Sequence, residues 1–291
     1  MTRSTVQLVV LGAVLLLSPV AQSRAPETPR NPALATSFDD AVARGDTAWR
    51  SGEVDLAIYL YIQALSFQPR DVVTLTKLGT IEQTQGNLQL AARAFELAAN
   101  AKPSDTSLTG RLGLILTALG DNENAYKWLK LSADNGSTDW RVVDQLSVIE
   151  TREGRYSNAV QYAGQAAAQA PKSAKPLLHR AEGYFGMGEY RMAEYAIRDA
   201  LRLGGTSDAW GLLGKIQAKQ RAYPASIDSF LQVMDPSAAY NTAGQLALDN
   251  GDNQVALGYF EKASLASPVY SADVQRNVAI ARERLSATVK Q

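Results

Sequence analysis

Apolar residues recur along the chain at helical spacing, and the helical stretches themselves recur at a fixed interval. In residues 52–69 and again in residues 86–103, an alanine, an aromatic residue and an alanine stand five, nine and twelve residues after a glycine. Steps of four and three residues keep such side chains on one face of an α-helix. Because the two stretches are 34 residues apart, the pattern predicts a helical unit that is repeated along the chain.

The same frame can be followed through most of the sequence from the glycine that marks each turn. The marks are 34, 34, 34, 34, 33 and 30 residues apart, and a fixed period in this range is typical of a solenoid. Only small residues stand five residues after each mark or seven before it, which predicts close contact between paired helices. The seven marks are Gly52, Gly86, Gly120, Gly154, Gly188, Arg221, which replaces the glycine in the sixth frame, and Gly251.

The period predicts seven helical hairpins between residues 37 and 270, followed by a last helix. Residues 271–291 place Val274, Val278, Ala281 and Leu285 at helical spacing, and we interpret them as the capping helix that the end of a solenoid requires. The sixth hairpin is short. The predicted hairpins are 37–71, 72–105, 106–139, 140–173, 174–206, 207–236 and 237–270.

The N-terminal residues are different in kind. Residues 1–23 combine a basic start, an apolar run and a small-residue ending at Ala21 and Ser23, which predicts a signal peptide that is cleaved on export. The apolar run is shorter than the ~20 residues that span a bilayer, and no cysteine follows it. We therefore expect a periplasmic protein without a membrane span or a lipid anchor. Residues 24–36 are rich in proline and predict a flexible lead-in.

Composition narrows the chemistry that the chain can perform. Lys plus Arg and Asp plus Glu both number 29, so no basic excess favours nucleic acid as a partner. The sequence has no cysteine and one histidine, His179, which excludes thiol catalysis and cysteine-ligated metals. We expect no cofactor, no metal and no enzymatic activity. The alternative is catalysis with His179 as a general base, which would need a nucleophile and an orienting group.

Two segments make the family resemblance specific: "LTKLGTIEQTQGNLQLAARAFELAANAKP" and "NTAGQLALDNGDNQVALGYFEKASLASP". Their small-residue, aromatic and proline positions resemble the tetratricopeptide repeat, and the match covers about residues 38–270. The resemblance implies an all-α protein, a right-handed α-solenoid of about seven helical hairpins plus the C-terminal capping helix. It also implies that the first helix of each hairpin lines a concave groove that binds a protein or a peptide.

The polar side chains on those first helices are the candidate partner-binding residues, hereafter the groove residues. Most are basic, so we expect the groove to favour an acidic segment or a free C-terminal carboxylate. The alternative is that these charges are solvated and bind nothing. The groove residues are Lys77, Arg111, Arg141, Asp144, Arg152, Lys175, His179, Lys215 and Lys219.

A second resemblance lies near the C-terminus. The segment "VQRNVAIA", residues 274–281, resembles a segment of the assembly proteins of the Flp/Tad type of pilus. It implies a periplasmic scaffold that helps to assemble an envelope machine such as a type IV or Tad pilus or a secretion system. A regulator that docks on a cell-wall enzyme, and an enzyme that uses His179, are the alternatives.

Overall fold

The computed structural model describes residues 33–267 and 271–288 of the chain. These residues hold fifteen α-helices and no strand. The predicted signal peptide, most of the lead-in and the last three residues lie outside the described residues. The chain divides into two compact units, Met1–Val142 and Val143–Gln291, and we describe each unit by itself.

The first unit consists of paired helices joined by short turns. Each odd-numbered helix contacts the helix that follows it, and α2 and α4 also contact the next odd-numbered helix. A seventh helix, α7 (Trp140–Arg152), begins in this unit and ends in the next. The six helices are α1 (Phe38–Arg50), α2 (Val54–Phe67), α3 (Val72–Thr84), α4 (Leu88–Ala101), α5 (Thr106–Ala118) and α6 (Asn122–Asp134).

The second unit repeats this arrangement and adds a last helix. Its helices also pack in pairs, and the last helix contacts the one before it. After α7, the helices are α8 (Tyr156–Gln169), α9 (Ala174–Gly186), α10 (Tyr190–Arg202), α11 (Ser207–Lys219), α12 (Tyr223–Phe230), α13 (Pro236–Asp249), α14 (Asn253–Ala266) and α15 (Ala272–Thr288).

Within a hairpin, a glycine on the first helix meets a large side chain on the second. A Cβ atom added to Gly79 would lie 2.9 Å from Cε2 of Phe95, a side chain that is fully buried. The sequence predicted helix contact at the small residues seven before and five after each mark. The structure adds that the large residue nine after the mark fills the space beside the first glycine. The same pairing occurs at Gly45 and Tyr61, Gly113 and Leu129, Gly214 and Phe230, and Gly244 and Phe260.

The turn glycines leave the helix in the left-handed region of backbone space. Gly86 has φ 79°, and the residue after it returns its N–H to the carbonyl of Glu82, which closes the end of α3. Arg221 takes the same conformation with φ 62°, which costs more for a residue with a Cβ. Its guanidinium binds Asp252 at 3.0 Å and the carbonyl of Asn250 at 3.2 Å.

The sixth hairpin is irregular where the sequence is short. Its second helix, α12, has 8 residues, whereas the other described second helices have 13 or 14. Pro236, predicted as the last residue of that hairpin, is instead the first residue of α13. Proline is well suited to the first helical position because its missing N–H would have no partner there.

The C-terminal helix α15 packs on the repeat before it. Val278 and Ala281 belong to the same buried cluster as Phe260 of α14, Val274 is also buried, and Leu285 is half-buried. These four residues are the apolar stripe that the sequence predicted. Within the described residues, no helix is both long and apolar enough to span a bilayer.

Candidate protein-interaction surface

Three groove residues occupy one place in the repeat. Lys77 of α3, Arg111 of α5 and His179 of α9 each stand nine residues before a turn glycine. Each side chain reaches back to the first helix of the preceding hairpin, because its hydrogen-bond partners are 28 to 35 residues earlier in the chain. The repeat therefore sets the position, and the local residue types decide what each side chain binds.

In the first unit, Lys77 forms an ion pair with Asp46 of α1. Its Nζ lies 2.6 Å from Oδ1 and 2.8 Å from Oδ2 of Asp46, and the Tyr61 hydroxyl donates to the same Oδ1 at 2.6 Å. Both charged side chains are about one-third exposed, at 34% and 36%. Lys77 is thus neutralised by its own protein, which reduces the free positive charge that the sequence suggested.

The protonation of this cluster follows from its geometry. Burial acts to raise the pKa of Asp46, but hydrogen bonds from Lys77 and Tyr61 outweigh it, and the net pKa is lowered. Burial, followed by the hydrogen bond to Asp46, raises the pKa of Tyr61. The stable form is therefore an ionised Asp46 between a lysine ammonium and a neutral tyrosine hydroxyl.

Arg111 has a different environment. Its Nε donates to Oε1 of Gln83 at 2.8 Å, and one terminal nitrogen donates to Oγ1 of Thr80 at 3.1 Å. The guanidinium carbon lies 4.8 Å from the centre of the Phe95 ring, within the range of a cation–π interaction. Among the described residues, no carboxylate forms an ion pair with Arg111. Burial, followed by the charge of Arg141, lowers its pKa.

Arg141, at the start of α7, binds a carboxylate close to it in sequence. Its Nε and a terminal nitrogen contact both oxygens of Asp139 at 2.7 to 3.2 Å. The hydrogen bond to Asp139 raises the pKa of Arg141 and lowers that of Asp139. Although the Arg141 side chain is 62% exposed, its charge is largely compensated.

In the second unit, Asp144 of α7 and His179 of α9 form a buried pair. Nδ1 of His179 lies 2.8 Å from Oδ1 of Asp144, and their side chains are 11% and 3% exposed. Lys175 approaches the other oxygen of Asp144 at 4.0 Å but is itself 59% exposed. The sequence placed Asp144 among open groove charges, whereas the structure buries it as the carboxylate that orients His179.

Glu182 adds a second carboxyl group one turn after His179 on α9. Burial raises its pKa, His179 lowers it, and the nearby Asp208 and Asp144 raise it further. The net pKa is raised because two like charges and a low-polarity environment both disfavour the ionised form. This part of the second unit is therefore mixed in charge rather than uniformly basic.

The remaining groove residues lie at the ends or outer sides of their helices. Arg152 and Lys215 are exposed, and neither forms an ion pair with a described residue. Lys219 donates to Oδ1 of Asn250 at 3.2 Å, a neutral partner. In the described residues, the groove cations without a carboxylate in ion-pair range are thus Arg111, Arg152, Lys215 and Lys219.

The His179–Asp144 pair has one element of a catalytic arrangement. A carboxylate on Nδ1 fixes the orientation of an imidazole and leaves Nε2 for other contacts. Within the described residues, no serine or threonine hydroxyl hydrogen-bonds to His179, and no three His, Cys, Asp or Glu side chains are arranged to hold a metal ion. The pair fits a structural or partner-contacting role.

Sequence reasoning missed the internal partners of these cations. Asp46 stands 31 residues before Lys77, the same separation as between Thr80 and Arg111, so a search for carboxylates at that spacing would have found the first pair. The burial of Asp144 gave no comparable signal, because its position in the helix is also compatible with exposure. The role of the groove residues in binding a partner stays a prediction.

Comparisons with known proteins agree with this architecture. The family model described as "Tetratricopeptide repeat" matches residues 76–139 and 178–241. The chain contains tetratricopeptide repeats. No curated protein sequence matches the chain, so its similarity to known proteins is carried by the repeat and by the fold.

Solved structures of similar fold include other tetratricopeptide repeat proteins. One from Parabacteroides merdae has 16% identity and a TM-score of 0.54, covering 84% of this chain and 98% of that one. YrrB, described as having an unusual peptide-binding site, has 18% identity and a TM-score of 0.51 over 56% and 84% of the two chains. Pseudomonas aeruginosa pilF has 18% identity and a TM-score of 0.51 over 72% and 96%. At such identities the likeness concerns the fold alone.

Proposed function

We propose that the chain is a non-enzymatic, exported scaffold that binds other proteins and helps to assemble an envelope machine, such as a type IV or Tad pilus or a secretion system. The repeats support protein binding, since tetratricopeptide repeats present paired helices to protein or peptide partners. The signal-peptide pattern of residues 1–23 supports export, and the segment at residues 274–281 supports the pilus alternative.

One observation carries the choice of binding surface. Arg111 is half-buried on a first helix, its ring contact and two hydrogen bonds fix its geometry, and it has no carboxylate in ion-pair range among the described residues. A fixed guanidinium without a counterion is suited to a charge-assisted hydrogen bond with a carboxylate of a partner. We therefore propose an acidic segment or a C-terminal carboxylate as the ligand of this part of the first unit.

Affinity capture from envelope extracts tests this proposal. The parent chain and two charge-reversal variants serve as bait: Arg111→Glu in the first unit, and Arg152→Glu with Lys215→Glu in the second. A matched control reverses Arg70, Lys172 and Arg191, which are exposed and lie in turns or on a second helix. Circular dichroism establishes that each bait is folded before capture.

The proposal predicts that mass spectrometry identifies pilus or secretion components with the parent and the control, and loses them with at least one groove variant. Capture of the same set by all baits would overturn the groove as the binding surface. Capture of cell-wall enzymes without envelope-machine components would overturn the assembly role in favour of a regulator.

A further inference from the structure

The first unit contains an apolar cavity on a different side of α3 from Lys77. The cavity opens between the second helices α2 and α4, and α3 forms its floor. It has an empty volume of about 580 Å³, including the part continuous with solvent, which is within the range of sites that hold small ligands or side chains. Its lining includes Ile62, Leu65, Leu75, Leu78, Leu90 and Leu97.

The next hairpin shows what the cavity lacks. Ala94, which lines the cavity, stands eight residues after its turn glycine, and Trp128 stands eight residues after the next one. Trp128 is half-buried and packs against the hydrophobic cluster that contains Leu108 and Leu112. The fold therefore accepts an indole at this place in the repeat, and the second hairpin offers only a methyl group there.

A single buried polar group faces this apolar space. Glu82 is 6% exposed and lines the cavity, and its Oε2 accepts a hydrogen bond from Nδ2 of Asn87 at 2.8 Å. Among the described residues, its Oε1 receives no hydrogen bond. A buried oxygen without a donor is costly, and burial raises the pKa of this carboxyl. The cavity thus offers one acceptor among aliphatic walls.

The mouth of the cavity has the features of a protein-binding pocket. Leu90 and Leu97 are 38% and 37% exposed, and the exposed Arg93 also belongs to the lining. The equivalent places in the third hairpin hold Asn124 and Leu131. Tryptophan anchors in such pockets often dominate binding energy, and an arginine at the rim can contact the face of the ring.

We propose that this cavity binds the side chain of a tryptophan from a partner protein, with the indole N–H donated to Oε1 of Glu82 and the ring between Leu90, Leu97 and Ala94. Electrostatic complementarity selects this occupant, because the indole supplies one donor for the one free acceptor on an otherwise apolar body. The surface is separate from Arg111 and the other groove residues, so it is an additional contact that does not depend on the proposed envelope role.

N-acetyl-tryptophan amide is the probe that tests this proposal on the purified chain. N-acetyl-naphthylalanine amide is its matched control, since its ring has a similar size but no N–H. We expect the tryptophan amide to bind with a Kd of ~1 mM or tighter and to shift the methyl signals of Leu90 and Leu97 in NMR spectra. We expect it to bind about fivefold tighter than the naphthyl compound, as one net hydrogen bond allows.

Three variants and a control separate the elements of the proposal. Ala94→Trp should fill the cavity from within and weaken binding at least about tenfold, whereas Gln165→Trp on the exposed side of α8 should not change it. Glu82→Leu should abolish the preference for the indole over the naphthyl ring. Leu97→Gln, at a partly exposed position that leaves the core intact, should weaken binding about threefold or more.

Several results would overturn the inference. Absence of binding at 10-fold above ~1 mM, binding that Ala94→Trp leaves intact, or equal affinity for the two ring systems would each contradict it. A dimer of the parent chain that both Trp49→Ala and Ala94→Trp dissociate would replace the partner protein with a second copy, since Trp49 is itself 38% exposed. None of these measurements depends on the capture of an envelope component.

Discussion

The second and third hairpins of the first unit share one backbone frame but distribute their side-chain bulk differently. In the second hairpin, Phe95 fills the space beside Gly79 and Ala94 leaves the outer groove open. In the third hairpin, the smaller Leu129 lies beside the equivalent glycine and Trp128 covers the outer side. The comparison shows that the repeat fixes where side chains stand, while their sizes decide which surfaces remain open.

The polar side chains of the same two hairpins differ in a parallel way. Lys77 is held by the carboxylate of Asp46, whereas Arg111, at the equivalent place, is held by two neutral oxygens and an aromatic ring. The first cation is compensated inside the protein, and the second is oriented without being neutralised. Equal positions in the repeat therefore do not have equal value for binding.

The largest expected effect concerns the ring that fills the second hairpin. Phe95→Ala should lower the free energy of unfolding by ~3–5 kcal/mol, because the fully buried ring has no other side chain to replace it. Leu129→Ala should cost ~2–5 kcal/mol by the same mechanism. Urea unfolding measures both. A cost below that of a surface substitution for Phe95→Ala would break the comparison.

A smaller effect is expected from crowding the same contact. Gly79→Ala should cost ~1–3 kcal/mol, since the new Cβ would lie 2.9 Å from the Phe95 ring. In the Phe95→Ala background the cost should largely disappear, because the ring is no longer there. The double-mutant cycle measures this coupling. Additive costs would show that the glycine is needed for another reason.

The pH dependence of stability should reveal the carboxyl in the cavity. Burial, and to a smaller extent the charge of Asp55, raises the pKa of Glu82 above its ordinary value of 4.5, against a hydrogen bond from Asn87. A carboxyl whose pKa is raised by folding stabilises the protein most below its unfolded pKa, and this contribution is lost as the pH rises through the folded pKa.

Glu82→Gln keeps the shape of the side chain and removes this titration. We expect the variant to gain stability relative to the parent as the pH is raised from about 4 to 7. Unfolding curves across that range measure the difference. A parent that gains on the variant over the same interval would contradict the sign.

The smallest expected effect on stability is that of the exposed ion pair. Lys77→Ala should cost ~0.2–1 kcal/mol, as pairs of this exposure do, with part of the loss screened by salt. It should also raise the pKa of Asp46, since the hydrogen bond from Lys77 is one of the causes that lower it. NMR titration of the carboxyl follows this directly, and an unchanged Asp46 pKa would contradict the assigned contact.

Much of the fold was visible in the sequence because one frame recurs. The glycine and aromatic columns predicted helical hairpins, and the pairing of Gly79 with Phe95 explains why both columns exist. The candidate surface was less predictable, since the partners of a cation depend on the side chains of a neighbouring hairpin. Asp144 looked like an open charge and proved to be buried beside His179. The cavity depends on Ala94 being small, which has no meaning until the helices are packed.

The central claim is that groove cations without an internal counterion bind the partner. The most direct test compares capture of the same envelope component by Arg111→Ala and Lys77→Ala baits, both folded and of equal net charge. The account predicts a loss of about tenfold or more for Arg111→Ala and less than about twofold for Lys77→Ala. Equal losses would show that position in the repeat, rather than internal pairing, governs binding, and no loss with Arg111→Ala would contradict the claim.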